Sequence, residues 1–353
     1  MMKTYNSIVI IAVCLMVGFC AGLIIWAQPL SGDLTRVGAY PERWYGWSAP
    51  QQKIPGQSNT AHAPNKKHLL VLGDSFSEIG HWQAYLGDRY SFTLVHTRNT
   101  SFHKIIEKIR QEKPDGVVIE SVERFTYAMF GNESEFMGNT PKRCEPLAAT
   151  TSVQESTAAP LGSILTYPEY TRKMFPATAK EISQGFYLVK QRTFFTIKPK
   201  KRQAKILELS TSSLQSSQRS QQLLVIKSDL LLLPAFDDAA ITTMQCAMRT
   251  LAHALTDLQL PYVFLIVPDK TTAYQPYLTQ ADLRSKPPVI SRLLPTLGIP
   301  HTIDLLPAIR NALSQNAVDF YLPNDTHWGY RGFQLAAQQI DAALQPQWRA
   351  EQP

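Results

Sequence analysis

"VLGDSFSEIG", residues 71–80, is an apolar run that stops at Gly-Asp-Ser and then turns polar. The run "HLLVLGDS" has the length of a buried strand and "HWQAYLGDRY" behind it is spaced as a helix, so Ser75 falls where a strand meets a helix. A serine at that junction projects from the C-terminal edge of a sheet, where backbone N–H groups at the helix start can hold an oxyanion. Taken alone, Gly-Asp-Ser serves equally well as a turn with a helix N-cap.

The pattern continues outward from this stretch. "FTLVHTRN" reads as a strand, "SFHKIIEKIRQEK" as an amphipathic helix and "PDGVVIESVERF" as a buried strand after a Pro-Asp-Gly turn. Later, "AITTMQCAMRTLAHALTDLQL" is helical, "PYVFLIVPDK" a strand, "VISRLLPTLGI" helical and "PHTIDLLPAI" opens with a strand; a last helix starts near Gly329. Alternating strands and helices predict an α/β fold with a mostly parallel central sheet and helices on both faces. Between about residues 130 and 235 the periodicity weakens and Ser, Thr and Gln accumulate, notably in "STSSLQSSQRSQQ". Such composition buries little surface, which predicts an insertion or mobile cap within a domain covering 67–348.

The chain of 353 residues, 44% hydrophobic, is long enough to bury a full core. Residues Ser7 to Ala27 form an uncharged apolar stretch of about 20 residues, which matches the ~30 Å hydrocarbon core. It predicts one N-terminal transmembrane helix within 1–28, with a long signal peptide as the alternative. Lys3 precedes it and Arg36 follows only later, which points the N-terminus to the cytoplasm and the rest of the chain outward, as a single-pass membrane protein. Residues 29–66, rich in Pro, Gly, Gln and Ser with Trp44 and Trp47 embedded, read as an extended stalk packed locally on the domain. Of the four cysteines, Cys14 and Cys20 lie in the apolar segment; Cys144 and Cys246 are left as a disulfide pair for an oxidising compartment.

The net charge of +7 is partly local: "KQRTFFTIKPKKRQAK", residues 190–205, carries seven Lys or Arg and no acid. A solvated hairpin face accounts for it more simply than contact with an anionic surface, and no nucleic-acid motif accompanies it.

A second block, "YLPNDTHWGYRG" at 321–332, places Asp325 and His327 two apart before the last helix. At that spacing a carboxylate can orient an imidazole from the same loop, and a serine hydroxyl needs such a base near neutral pH. "GDSF" after the first strand and "DTHW" before the last helix resemble the SGNH, or GDSL-like, hydrolase superfamily. The Asp-x-His-Trp spacing resembles its alginate O-acetyltransferase branch, as do "VVIESVERF" at 117–125 and "VPDKTTAYQPYL" at 267–278. In the alginate proteins the Asp-x-His block precedes the serine block, whereas Ser75 comes first here. The resemblance therefore implies a bacterial exopolysaccharide or cell-wall glycan, not alginate itself.

It further implies a three-layer α/β/α SGNH fold in which Ser75 is the nucleophile, His327 the general base and then acid, and Asp325 the residue that orients His327. The implied activity is polysaccharide O-acetyl transfer through an acetyl-serine, fed by a membrane-bound O-acyltransferase, with no cofactor and no metal. A periplasmic acetyl esterase with the same triad and a non-catalytic subunit of an export complex are the alternatives. The Gly and Asn oxyanion donors of SGNH enzymes have no clear counterpart; Arg98 and Asn99, and Arg124 with Tyr127, are the nearest candidates beside the Ser75 N–H. For Arg124 an ion pair with Glu120 or Glu123 weighs equally. Asp74 is expected to fix the nucleophile turn, Trp328 to pack beside His327, and Lys270 either to touch substrate or to lie on the surface.

Overall fold

A computed structural model describes residues 2–27, 32–52, 55–131, 134–147, 154–155, 201–231 and 236–350, with isolated positions between 187 and 198. Its centre is a six-stranded sheet in the order β2-β1-β3-β7-β8-β4. The strands are β1 (Lys67–Gly73), β2 (Tyr90–His96), β3 (Gly116–Val122), β4 (Gln154–Glu155), β7 (Tyr262–Val267) and β8 (Thr302–Asp304). Every pairing in it is parallel.

Parallel sheets are covered on both faces, and the residues show it. β3 and β7 are buried along their whole length. Along β1, Leu69 and Val71 enter one core with Trp82, Phe92 and the last helix, Tyr330–Ala350. Leu70 and Leu72 enter the other, with Ile105, Ile106 and Ile109 of α6 (Phe102–Glu112) and the buried side of the helix Asp238–Asp257. This is the period of two that a strand imposes, and each fully buried leucine contributes about 2 kcal/mol. The result is the three-layer α/β/α arrangement expected of an SGNH-like fold.

The order β2-β1-β3 makes the C-terminal end of β1 a switch point, because the chain leaves β1 for β2 on one side and returns to β3 on the other. Open α/β sheets bind ligands there. Ser75 sits at that end, as the first residue of the short helix α4 (Ser75–Glu78).

Several expectations are corrected. The third strand stops at Val122, and Glu123, Arg124 and Tyr127 belong to α7 (Glu123–Phe130), because the buried Glu123 takes its partners from neighbouring loops and not from a ladder. Residues 29–66 are not an extended stalk throughout: α2 (Asp33–Gly38) and α3 (Glu42–Tyr45) form in them. Leu34, Tyr40 and Tyr45 pack there with Ala204 and Leu224 of an antiparallel hairpin, β5 (Ala204–Glu208) and β6 (Gln222–Ile226). The Ser/Gln-rich stretch between those strands is also packed, since Leu214 is fully buried and the Ser216 hydroxyl donates to Asp319. Most of the remainder of the expected insertion lies outside the described residues.

At the N-terminus, Met2–Ala27 forms one helix, α1, with Ile8, Ile10, Leu15 and Phe19 all more than half exposed. Among the described residues, however, no helix is long and apolar enough to cross a membrane. The expected transmembrane helix is thus unsupported by the fold. Cys144 and Cys246 are disulfide-bonded, with Cα atoms 4.2 Å apart, and tie the segment after α7 to the helix Asp238–Asp257.

Candidate active site

The site is assembled from three parts of the chain. The first is the turn after β1. Asp74 caps α4: its Oδ1 accepts from the Phe76 N–H at 3.0 Å and its Oδ2 from the Val122 N–H at 2.8 Å, which pins the turn to the end of β3. Its own N–H donates to Glu120 Oε2, which also accepts from the Ser77 hydroxyl. Burial, then the charge of Asp74, pushes the Glu120 carboxyl well above its usual range. Asp74 is therefore the turn carboxylate expected of it. With the N–H groups of Asp74, Phe76 and Ser77 engaged, that of Ser75 has no hydrogen-bond partner among the described residues.

The second part is the loop before the last helix. An antiparallel bridge between Tyr321 and Trp328 closes it, and the Leu322 N–H donates to the His327 carbonyl at 3.1 Å. This short closure brings Asp325 and His327 to the same side. His327 Nδ1 lies 2.6 Å from Asp325 Oδ1, and His327 Nε2 lies 3.0 Å from Ser75 Oγ across 252 residues of sequence. Burial by itself pulls the imidazole pKa down, but the bond to Asp325, its charge and that of Asp33 outweigh it and leave His327 raised. Trp328 is buried and packs on Phe76, 4.9 Å between ring centroids, while Phe76 also stacks against His327 at 4.8 Å. These rings wedge the two loops at a fixed separation.

The third part is a buried charged network behind the loop. Lys270, at the end of β7, is almost wholly buried and does not reach the surface. Its ammonium donates to the carbonyls of Leu322 at 2.8 Å and of Pro323 and Asp325 at 3.1 Å, so it holds the loop by its backbone. Burial pulls its pKa from 10.5 to about 7. Arg124 pairs with Asp269 and stands 3.6 Å from Asp229, not with Glu120 or Glu123. Glu123 instead accepts from the N–H groups of Asp269 and Ile290, both at 3.0 Å. Burial pushes Asp229 up to about 6.

The other expected oxyanion candidates do not join the triad. Arg98 and Asn99 are exposed past the end of β2, with Arg98 stacked over Phe125. Tyr127 packs its ring on Phe236, on the helix face of the core. Among the described residues, the Ser75 N–H is the donor this geometry offers.

One functional neighbour was missed by sequence. The Asp33 N–H donates to Asp325 Oδ2 at 3.1 Å, and its carboxylate lies 3.7 Å from His327 Nδ1. No motif marks it, and it lies 292 residues from its partner. Asp33, Asp325 and His327 also place three ligand atoms within 4.8 Å of one another, the spacing a metal ion uses. Both Asp325 oxygens and His327 Nδ1 are already engaged in hydrogen bonds, an arrangement that serves proton transfer.

Comparison with known families meets this geometry. Residues 226–353 match a family described as SGNH hydrolase-like domain, acetyltransferase AlgX. That segment, the C-terminal third of the chain, is similar to an AlgX-like SGNH domain. The matched segment contains Asp269, Lys270, Asp325 and His327, while Ser75 precedes it and is joined to the site by the fold. The description of that family names an SGNH hydrolase-like fold and an acetyltransferase. No curated protein and no solved structure matches the chain.

A cavity of about 350 Å³ borders the loop, with Trp47, Gln51, His81, Tyr85, Leu322 and Tyr330 in its wall.

Proposed function

We propose that this protein is a polysaccharide O-acetyltransferase working through an acetyl-serine. In the first half-reaction Ser75 Oγ attacks the acetyl carbonyl of a donor ester while His327 Nε2 takes the hydroxyl proton. The tetrahedral oxyanion is met by the Ser75 N–H. The donor's acyl bond then breaks, with His327 returning the proton to the leaving group. In the second half a sugar hydroxyl gives its proton to His327 and attacks the acetyl-serine; the Ser75 Oγ–acetyl bond breaks, His327 returns the proton to Oγ, and an O-acetyl sugar leaves. The ionised Asp325 holds the imidazolium in both halves.

The observation that carries this reading is the continuous Ser75–His327–Asp325 relay at 3.0 and 2.6 Å. The AlgX-like match favours transfer, and the aromatic cavity beside the loop is the proposed acceptor subsite. The apolar stretch 7–27 is proposed as a single-pass anchor in a bacterial inner membrane, with the domain in the periplasm. A partner is then needed: a membrane-bound O-acyltransferase that brings acetyl across the bilayer, since one helix builds no path for it. The acceptor is a bacterial exopolysaccharide or cell-wall glycan.

The test is an activated acetyl ester offered to the wild type and to Ser75→Ala, with free acetate and acetylated oligosaccharides followed by mass spectrometry. Transfer that depends on Ser75 and exceeds hydrolysis is expected. Ser75-dependent hydrolysis alone, over a broad acceptor panel, replaces the transferase with an acetyl esterase. Turnover unchanged in Ser75→Ala refutes the enzyme and leaves a structural subunit.

A further inference from the structure

We propose that the segment 32–36, which follows the N-terminal helix, is a working part of the catalytic centre, with Asp33 as a positioning residue that holds Asp325 through its amide and biases His327 through its carboxylate. This inference rests on the triad assignment made above.

The geometry is specific. Asp325 has two carboxylate oxygens: Oδ1 faces His327, and Oδ2 accepts the Asp33 N–H. Fixing Oδ2 sets the rotation of the carboxylate and therefore the plane in which Oδ1 meets Nδ1. The segment is itself bolted to the same loop. The N–H groups of Leu34 and Thr35 donate to the Asn324 carbonyl at 3.0 and 3.3 Å, and the Asn324 side chain bonds Glu42. Glu42 in turn accepts from the Thr35 hydroxyl at 2.6 Å. Gly32 lies so close to the loop that a Cβ there would stand 2.1 Å from the Asn324 carbonyl oxygen. A side chain at 32 would push Asp33 off its partner. Leu34, fully buried beside Leu224, anchors the other side. The loop carrying Asp325 and His327 is thus clamped from within by Lys270 and from outside by residues 32–42.

The charge acts separately from the amide. Four ionisable groups bear on His327: Asp325 and Asp33 favour its protonated form, Arg124 opposes it, and His81 across the cavity wall opposes it when charged. Arg36 pairs with the Asp33 carboxylate and offsets part of its effect. The Asp33 carboxyl is itself raised by burial and by the charge of Asp325, and when ionised it places a second negative charge behind the imidazolium that forms during each proton transfer.

Position 33 allows the two roles to be split. It is the first residue of α2, where proline fits a helix, and Gly32 before it has the extended φ of −96° and ψ of 147° that a proline requires. Asp33→Asn removes the charge and keeps the N–H. Asp33→Pro removes both. In the full-length protein, both variants should lower the pKa of the His327 imidazole read by NMR and move the acid limb of acetyl-enzyme formation to lower pH, by roughly half a unit. Only Asp33→Pro should also lose about ten- to a hundredfold in the plateau rate, the range of one hydrogen bond to a charged group. Arg36→Gln should move the imidazole pKa the opposite way.

An unmoved imidazole pKa in Asp33→Asn, or a plateau rate in a folded Asp33→Pro equal to that of Asp33→Asn, overturns the assignment. The NMR titration needs no substrate. Shifts in the expected direction in a protein whose wild type forms no Ser75-linked acetyl adduct therefore retain the positioning role and refute the acyl-transfer reading instead.

Discussion

Asp325→Asn strikes the relay where the structure polarises it most. Burial alone raises the Asp325 pKa, but the His327 side-chain bond and charge, followed by the His327 and Asp33 amides, take it from 3.8 to about 2. At about 1.4 kcal/mol per pH unit, that difference is worth ~2 kcal/mol in favour of the ionised, folded site. The folded-state pKa lies below the unfolded one, so this stabilisation is complete above about pH 4 to 5 and is lost as pH falls through about 2. Asparagine keeps the shape and loses the charge. If its amide faces Nδ1, the imidazole adopts the tautomer with a proton on Nε2, aimed at Ser75 Oγ, and can no longer act as base. Acetyl-enzyme formation from an activated ester, followed by intact-protein mass spectrometry, should slow by on the order of 10³–10⁴. Urea melts at neutral pH should show a loss of about 2 kcal/mol, and the variant's stability should fall less steeply than the wild type's below pH 4. Acetylation of Ser75 in Asp325→Asn within tenfold of the wild-type rate refutes the relay.

Lys270→Met removes three hydrogen bonds to loop carbonyls and fits an apolar chain of similar length into the same space. Stranding those carbonyls should cost about 2–4 kcal/mol in chemical denaturation and slow acetylation at least tenfold; a fully active variant would mean that Asp325 and His327 hold their loop unaided. Because burial pulls the Lys270 pKa down from 10.5 to about 7, the unfolded chain binds its proton more tightly over that range. Stability carried by this group therefore rises with pH from about 7 to 10, a rise that should vanish in Lys270→Met. Replacing Cys144 and Cys246 together by Ser opens a link spanning 102 residues and should lower stability by about 2–5 kcal/mol in urea melts, while leaving the Ser75 acetylation rate near wild type in the folded fraction.

The parallel sheet and the two short blocks that the fold brings into contact were legible because each signal is local. β1, β3 and β7 are continuous apolar runs that end at turn residues, and Asp325 and His327 share one loop. The family resemblance then joined Ser75 to that loop across 252 residues, a pairing no periodicity reveals. The clamp on the loop was hidden for the converse reason. Asp33 acts partly through its backbone amide, which has no signature in residue type, and Glu42 and Asn324 meet from opposite ends of the chain. Arg124 was weighed equally as an oxyanion donor and as an ion-pair residue; its partners are Asp269 and Asp229, and not the acids near it in sequence. Adjacent residues on a helix or strand point apart, so sequence neighbours were the less suitable choice. The Ser/Gln-rich stretch misled because Leu214 is buried and the half-buried Ser216 is held through its hydroxyl by Asp319 and the Ser48 N–H. Composition counts apolar surface and is blind to such satisfied polar contacts.

The clamp also constrains where the reaction takes place. Six peptide steps separate Ala27, the end of α1, from Asp33, and at no more than about 3.6 Å each they reach about 20 Å. If α1 lies in the bilayer as proposed, the Asp33 amide that holds Asp325 stays within that distance of the helix end, so the nucleophile works beside the membrane surface. Acetyl handed over by a membrane partner then meets Ser75 as a tethered event, whose effective concentration falls roughly as the −3/2 power of tether length. Inserting a dozen Gly and Ser residues after Gln28, which triples the tether, should cut acetylation of the cell-surface glycan about fivefold in cells carrying only this variant. Hydrolysis of a soluble acetyl ester by the same protein should be unchanged, because Gly32 and Asp33 remain seated on the loop. Equal glycan acetylation with the long and short tethers would show that the acetyl donor reaches Ser75 by free diffusion, and that α1 serves retention alone.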